Sequence, residues 1–146
     1  MNDNRTAEPG GTARLERLAQ VDVLIVVDVE GALAGTLQDN VYLIDTNKYV
    51  GSGNEGQAEL RTKCSEGQTI VWHVTPVSPA SNVTITQFTG QMIDDKICVP
   101  KQYDSPDGPY WSGLVESQGT TGQQQYSVVL TMDGKAMTFD PFLIIG

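Results

Sequence analysis

The chain has 146 residues, 39% of them hydrophobic, and nine basic against eighteen acidic side chains give it a formal charge of −9. That length supplies material for one core burying roughly two-thirds of the unfolded surface, so a single domain is expected over 20–146, behind a flexible tail or short helical lead-in at 1–19. The acidic balance argues against nucleic acid as a partner, and no stretch approaches the roughly 18–20 apolar residues that span a membrane.

Along the chain, residues 1–11 are polar with Pro9-Gly10-Gly11, and Thr12 is placed to cap a short turn through Leu15 and Leu18. There is no basic segment followed by an apolar run and a cleavage site, so a cytoplasmic home is expected. Residues 21–29 read as a central strand. Val21, Val23, Ile25, Val27 and Val29 share one face, and Leu24 and Val26 lie on the other between Asp22 and Asp28. A slip of one residue would carry Asp22 and Asp28 into the core, so the register is fixed. Gly31 and Gly35 argue against a long helix in the connection to the second strand at 41–45. A polar loop at 46–56 follows, and 57–62 then alternates as a half-exposed strand.

Residues 69–75 form a further expected strand that Pro76 and Pro79 stop, and 83–88 is a Thr-rich one. Shorter strands are expected at 96–99 and, after a turn rich in Asp, Pro and Gly, at 111–117. The strongest local signal is the hairpin of 124–132 and 135–139 around Asp133-Gly134, whose two residues tolerate the positive φ angles of a tight turn. Asp140-Pro141 turns the chain again before a last strand at 142–145. No segment sustains a helical period. The pattern points to an all-β fold, an antiparallel two-sheet β-sandwich, jelly-roll-like, with little helix.

The enzyme patterns are largely dismissed. Gly51-Ser52-Gly53 with Gly56 lacks the Gly-Lys-Ser/Thr ending of a phosphate loop, and His73, as the only histidine, cannot build a multi-histidine metal site and reads as a packed structural imidazole. Cys64 and Cys98 read as reduced structural thiols. The oxygens of Asp28, Asp45, Asn47 and Asn54 suit a hard cation such as calcium, although solvated or turn-forming acids are the ordinary reading. Paired carboxylates also fit glycosidic hydrolysis, which ranks last because their separation is not legible in the sequence. Tyr110 and Trp111, in the stretch 103–111, and Tyr49 beside Lys48 offer aromatic surfaces of the kind that cover the apolar face of a sugar. The plainer alternative is that these rings lock a long loop onto the core.

The stretches Val23-Leu24-Ile25-Val26-Val27-Asp28, Asn40-Val41-Tyr42-Leu43-Ile44-Asp45, Asn47 to Gly56, Val71-Trp72-His73-Val74, Phe88-Thr89-Gly90 and Phe139-Asp140-Pro141-Phe142 together resemble the PixA/AidA inclusion-body protein family over about residues 20–146. The resemblance implies a small cytoplasmic β-rich protein, found in inclusion bodies, with sugar binding in one branch of the family. The expected function is therefore non-enzymatic and lectin-like, with a neutral saccharide as ligand and a homodimer as the assembly. The expected ligand contacts are Asp28, Asp45, Asn47, Lys48, Tyr49, Tyr110 and Trp111, with calcium at Asp28, Asp45, Asn47 and Asn54. The runner-up is an intracellular assembly or storage protein without specific glycan binding; a glycoside hydrolase comes third.

Overall fold

A computed structural model describes residues 20–146, so the tail or helical lead-in expected at 1–19 lies outside the described residues. In chain order the elements are β1 (Gln20–Val27), α1 (Val29–Ala34), β2 (Val41–Asp45), β3 (Arg61–Cys64), β4 (Thr69–Pro76) and β5 (Thr84–Thr89). There follow α2 (Gln91–Asp94), β6 (Lys101–Tyr103), β7 (Tyr110–Leu114), β8 (Gly122–Gln125), β9 (Ser127–Met132), β10 (Lys135–Phe139) and β11 (Phe142–Ile145). The fold is all-β, with helix limited to two short segments among the described residues. Neither of these helices is long and apolar enough to cross a membrane.

β1 is central, as its two-faced apolar pattern requires. Val21, Val23, Ile25 and Val27 are fully buried on one face, while Leu24 and Val26 are half-buried on the other. The strand pairs antiparallel with β2 and parallel with β4, inside a five-stranded sheet ordered β2-β1-β4-β7-β6. The expectation of purely antiparallel sheets is therefore corrected at β1/β4 and again at β3/β11. The physical reason is the crossover. Between β2 and β4 the chain leaves the sheet, lays β3 into another one and returns, and parallel neighbours need a long connection of this kind.

The Asp133-Gly134 turn closes its hairpin as expected, with φ of 50° and 76° at the two residues. The hairpin is longer than the turn alone implies. Its register runs from Met132↔Lys135 to Val128↔Phe139, and the same register resumes from Gln125↔Phe142 to Gly122↔Ile145. At the interruption the Tyr126 amide donates to the carbonyl of Pro141 at 3.1 Å. Thus β8–β9 and β10–β11 are the arms of one bent hairpin. Its upper half adds β5 beside β9, and its lower half adds β3 beside β11, so hydrogen bonding divides the described strands into three sheets.

The core lies between the inner face of the five-stranded sheet and this hairpin. Trp72 on β4 is fully buried, its ring 4.8 Å from Phe88 and 5.8 Å from Tyr126, and its indole N–H donates to the Tyr126 hydroxyl at 3.1 Å. Some expected strands move. The segment at 57–62 yields a strand only from Arg61, because the preceding residues turn to bring Gly53 into a bridge with Arg61. Residues 96–99 are not a strand, and the edge strand in that region is β6.

Two substitutions probe this frame. Gly134→Val forces a β-branched residue into positive φ and is expected to lower the unfolding free energy by about 1–2 kcal/mol. Tyr126→Phe strands the buried indole donor and is expected to cost about 1–3 kcal/mol. Urea unfolding measures both, and unchanged midpoints would reject the turn and the buried bond respectively.

Candidate functional site

Asp28 follows β1 and caps α1, its Oδ1 accepting from the Gly31 amide at 3.0 Å. The Asp28 amide donates to the carbonyl of Asn40 at 2.9 Å, and the Asn40 side-chain amide donates to the Thr36 carbonyl at 2.7 Å. A Cβ at Gly31 would collide with the side chains of Asn40 and Asp28, so glycine is needed where the helix meets its cap. Asp28 is thus a local structural residue beside Asn40. The pairing Val27↔Val41 and Val23↔Asp45 puts Asp45 at the opposite end of the β1/β2 ladder, roughly 17 Å away at about 3.4 Å per residue.

The other side chains expected to bind an ion belong to the 46–56 loop and its junction with β2. Asp45 Oδ1 accepts from the Asn47 amide at 2.9 Å, and the Asp45 amide donates to Glu55 Oε1 at 3.0 Å. The side-chain amides of Asn47 and Asn54 donate to the carbonyls of Lys63 at 2.6 Å and Glu59 at 3.2 Å. The β1/β2 register therefore puts Asp28 apart from Asp45, Asn47 and Asn54, so the four expected calcium ligands do not converge on one point. Among the described residues no group of three or more His, Cys, Asp or Glu side chains is arranged to hold a metal. Lys48 stands 5.3 Å over the ring of Tyr49, which is 89% exposed on the same loop. That loop is bound to β2 and β3, whereas Tyr110 lies on β7, three strands from β2 in the sheet order.

Tyr110 and Trp111 part company too, since adjacent strand residues face opposite ways. Trp111 is paired with Trp72, lies 5.2 Å from Phe88 and donates its indole N–H to the Ile85 carbonyl at 3.2 Å. Trp111 is thus half-buried against the core, on the face away from Tyr110, and lines a separate depression with Val74, Thr84, Gln102 and Pro109.

Tyr110 takes the outer face, and there the register assembles a row that crosses all five strands. Ile44 pairs with Leu24, Leu24 with His73, and Tyr110 with Tyr103, while the rings of His73 and Tyr110 lie 5.7 Å apart. Tyr103 and Tyr110 are stacked at 5.7 Å with 25° between their planes. Beside the row is a depression of about 320 Å³ lined by Gln20, Thr69, Val71, His73, Ser105, Tyr110 and Ser112. None of these is an acid, although the chain carries eighteen. Ser105 holds the neighbouring loop, its hydroxyl donating to the Gly108 carbonyl at 2.7 Å and accepting from the Asp107 amide at 3.2 Å. The lining presents the Tyr110 ring and Val71 together with several side-chain donors and acceptors. His73 is exposed beside Tyr110, which corrects its reading as a packed imidazole. The signal was present in the alternation at 69–75, which puts His73 with Val71 and Thr75 on the face opposite Trp72.

The remaining groups are structural. Cys64 and Cys98 are free and buried, their thiols pushed up to about 12 chiefly by burial, so neither is a nucleophile at neutral pH. Glu66 Oε1 accepts from the Ser117 hydroxyl and amide, each at 2.7 Å, and from the Gln118 amide at 3.1 Å. The Ser117 hydroxyl bond, followed by the Gln118 amide bond, holds the Glu66 carboxyl below its ordinary range.

A family described as a domain of unknown function, DUF8788, matches residues 19–138. No curated protein matches the chain. Among solved structures, the chain is similar to the crystal structure of an inclusion body protein, PixA, from Burkholderia cenocepacia J2315, at 10% identity and a TM-score of 0.63. The similarity covers 87% of this chain and 95% of that one, and at such identity it shows a shared fold.

If Asp28 serves only as a cap, Asp28→Ala costs about 1 kcal/mol of stability, and added calcium leaves the melting temperature of the native protein unchanged. Thermal melts of both proteins, with calcium and with chelator, check this; a calcium-dependent rise lost in the variant would restore Asp28 as an ion ligand.

Proposed function

We propose that this chain, which belongs to the DUF8788 family, is a non-enzymatic, lectin-like protein that takes a neutral saccharide in the depression beside Tyr110. The observation that carries this reading is the depression without a carboxylate in its lining, bounded by Tyr110, His73 and Val71 and rimmed by Gln20, Thr69 and Ser112. A pyranose would set its C–H face against the Tyr110 ring while its hydroxyls exchange hydrogen bonds with the rim. No carboxylate lines the depression itself; at its rim Asp22, the β1 partner of Val71, accepts from the Gln20 side-chain amide at 2.8 Å and fixes that amide in place. The fold shared with an inclusion body protein supports a non-enzymatic role in the cytoplasm, with inclusion bodies as the place to look. The single register through the bend at Tyr126 likewise supports treating β3, the hairpin and β5 as one layer of a two-sheet, jelly-roll-like sandwich.

A second reading, assembly without glycan binding, is favoured by the other end of the same row. Tyr42 and Ile44, on an edge strand, are 44% and 48% exposed beside half-buried Leu24 and Val26, which is apolar surface of the kind that a second copy covers. A homodimer is proposed on that ground.

One pair of variants separates the two readings. Tyr110→Ala is expected to weaken glycan affinity at least about tenfold, or about 1.4 kcal/mol, without altering molecular mass. Ile44→Lys is expected to convert dimer to monomer and leave glycan affinity intact. A glycan array followed by calorimetry and light scattering reads both. A folded protein that binds no glycan, or one that converts it, overturns the lectin reading.

A further inference from the structure

The inner face of the five-stranded sheet holds a second depression, of about 130 Å³, lined from one side by residues 83–85 at the start of β5 and from the other by the loop between β6 and β7. Buried Val83 and Ile85, half-buried Val74 and the rings of Trp111 and Pro109 give the lining its apolar part. Gln102 joins them because it is the β6 partner of Trp111, and cross-strand partners share a face. Asp107 adds a carboxylate from the loop. None of these residues lines the depression beside Tyr110, so the two surfaces are separate.

The setting is fixed before a ligand arrives. The Trp111 indole N–H donates to the Ile85 carbonyl at 3.2 Å, and the Phe88 ring lies 5.2 Å away, so the indole cannot swing out without losing a bond and a packing partner. Across the loop the Ser105 and Gly108 amides donate to each other's carbonyls at 3.1 and 3.0 Å, and the Asp107 amide donates to Ser105 Oγ at 3.2 Å. Asp107 is thus held through its backbone, and its carboxylate takes no part in those bonds.

Charge selects what fits. Asp107 is the one charged residue in the lining, and Lys101, beside Gln102 in sequence, belongs to the opposite face of β6. In a chain of formal charge −9 such a surface repels anions. A neutral apolar molecule would meet the Trp111 ring but desolvate the Asp107 carboxylate without giving it a partner. An ammonium group supplies both the opposite charge and the donors, and an aromatic wall favours a cation as well. Size sets the rest of the ligand, since cavities of about 150 Å³ admit benzene. We propose that this depression binds a small organic cation, an ammonium group carried on an apolar body of about that size. The ammonium donates to the Asp107 carboxylate and the Gln102 side-chain carbonyl, and the body lies against Trp111, Val74 and Ile85. The site does not depend on the saccharide reading.

Benzylammonium chloride titrated into the full chain at neutral pH and low salt, and followed by proton–nitrogen NMR, tests the site. Saturable shifts are expected at the Trp111 indole N–H, the Gln102 side-chain amide and the Gly108 backbone amide. Benzyl alcohol, of the same size without the charge, is expected to bind at least about tenfold more weakly. Asp107→Asn keeps the loop amide and the shape, and is expected to bring benzylammonium down to the affinity of the alcohol. Gln102→Lys places a cation in the depression and is expected to abolish binding; both positions are exposed, and the same spectra report that each variant is folded. Shifts that do not saturate, or that spread over the other surface acids, would overturn the inference. Equal affinity for the alcohol, or benzylammonium binding unchanged in Asp107→Asn, would overturn it too.

Discussion

A buried indole has to bring its one donor to an acceptor, and Trp72 does so across the core by donating to the Tyr126 hydroxyl at 3.1 Å. A stranded donor there would cost about 1–3 kcal/mol, enough to penalise any slip of β4 against the hairpin. Tyr126 is held in turn at the bend, where its amide meets Pro141, and Phe88 from β5 fills the space between the rings. One side chain thus ties the five-stranded sheet to both halves of the hairpin. The consequence reaches the surface, because fixing Trp72 inward fixes His73 outward, and the β4/β7 register then sets His73 beside Tyr110.

The two edges of the five-stranded sheet are protected differently. β6 is three residues long and carries Lys101, both of which discourage pairing with another chain. β2 is longer and has Tyr42 and Ile44 on its outer face, and its edge is covered by Gly56 and Glu55 instead. A covering loop can be removed as a short, charged strand cannot.

What the sequence made legible was local. Turn chemistry at Asp133-Gly134 and period-two alternation in β1 need no knowledge of distant partners; the turn forms where it was expected, and β1 does so as far as Val27, Val29 opening α1 instead of extending the strand. The resemblance to inclusion-body proteins likewise agrees with the fold shared with PixA. Register is not local. Asp28 and Asp45 each follow an apolar run, which made them look like neighbours, but an antiparallel ladder sends the two ends of its strands apart. The parallel pairing of β1 with β4 depends on where β3 lands in another sheet, and nothing within β1 or β4 encodes that. Tyr110 and Trp111 are a different failure. The pleat forbids adjacent strand residues from sharing a face, so that error was avoidable from the sequence alone.

The same constraint explains why the acids misled. A chain of charge −9 must hold its loops with the side chains it has, and here carboxylates satisfy backbone amides that no strand or helix reaches. Asp28 takes the Gly31 amide at a helix start, Glu55 takes the Asp45 amide at a sheet edge, and Glu66 takes those of Ser117 and Gln118 in a loop. Acids used this way gather at strand ends and turns, which is where a cation site or a catalytic pair would also be sought. The depression proposed to take a saccharide lies instead on the outer face of the sheet beside His73 and Tyr110, with Asp22 at its edge holding the Gln20 amide. There the five-strand row supplies rings, and the neighbouring Thr69 and Ser112 supply hydroxyls. Asp28, Glu55 and Glu66 hold the scaffold, whereas Tyr110, also singled out in the sequence, meets His73, Thr69 and Ser112 only once β4 and β7 are paired.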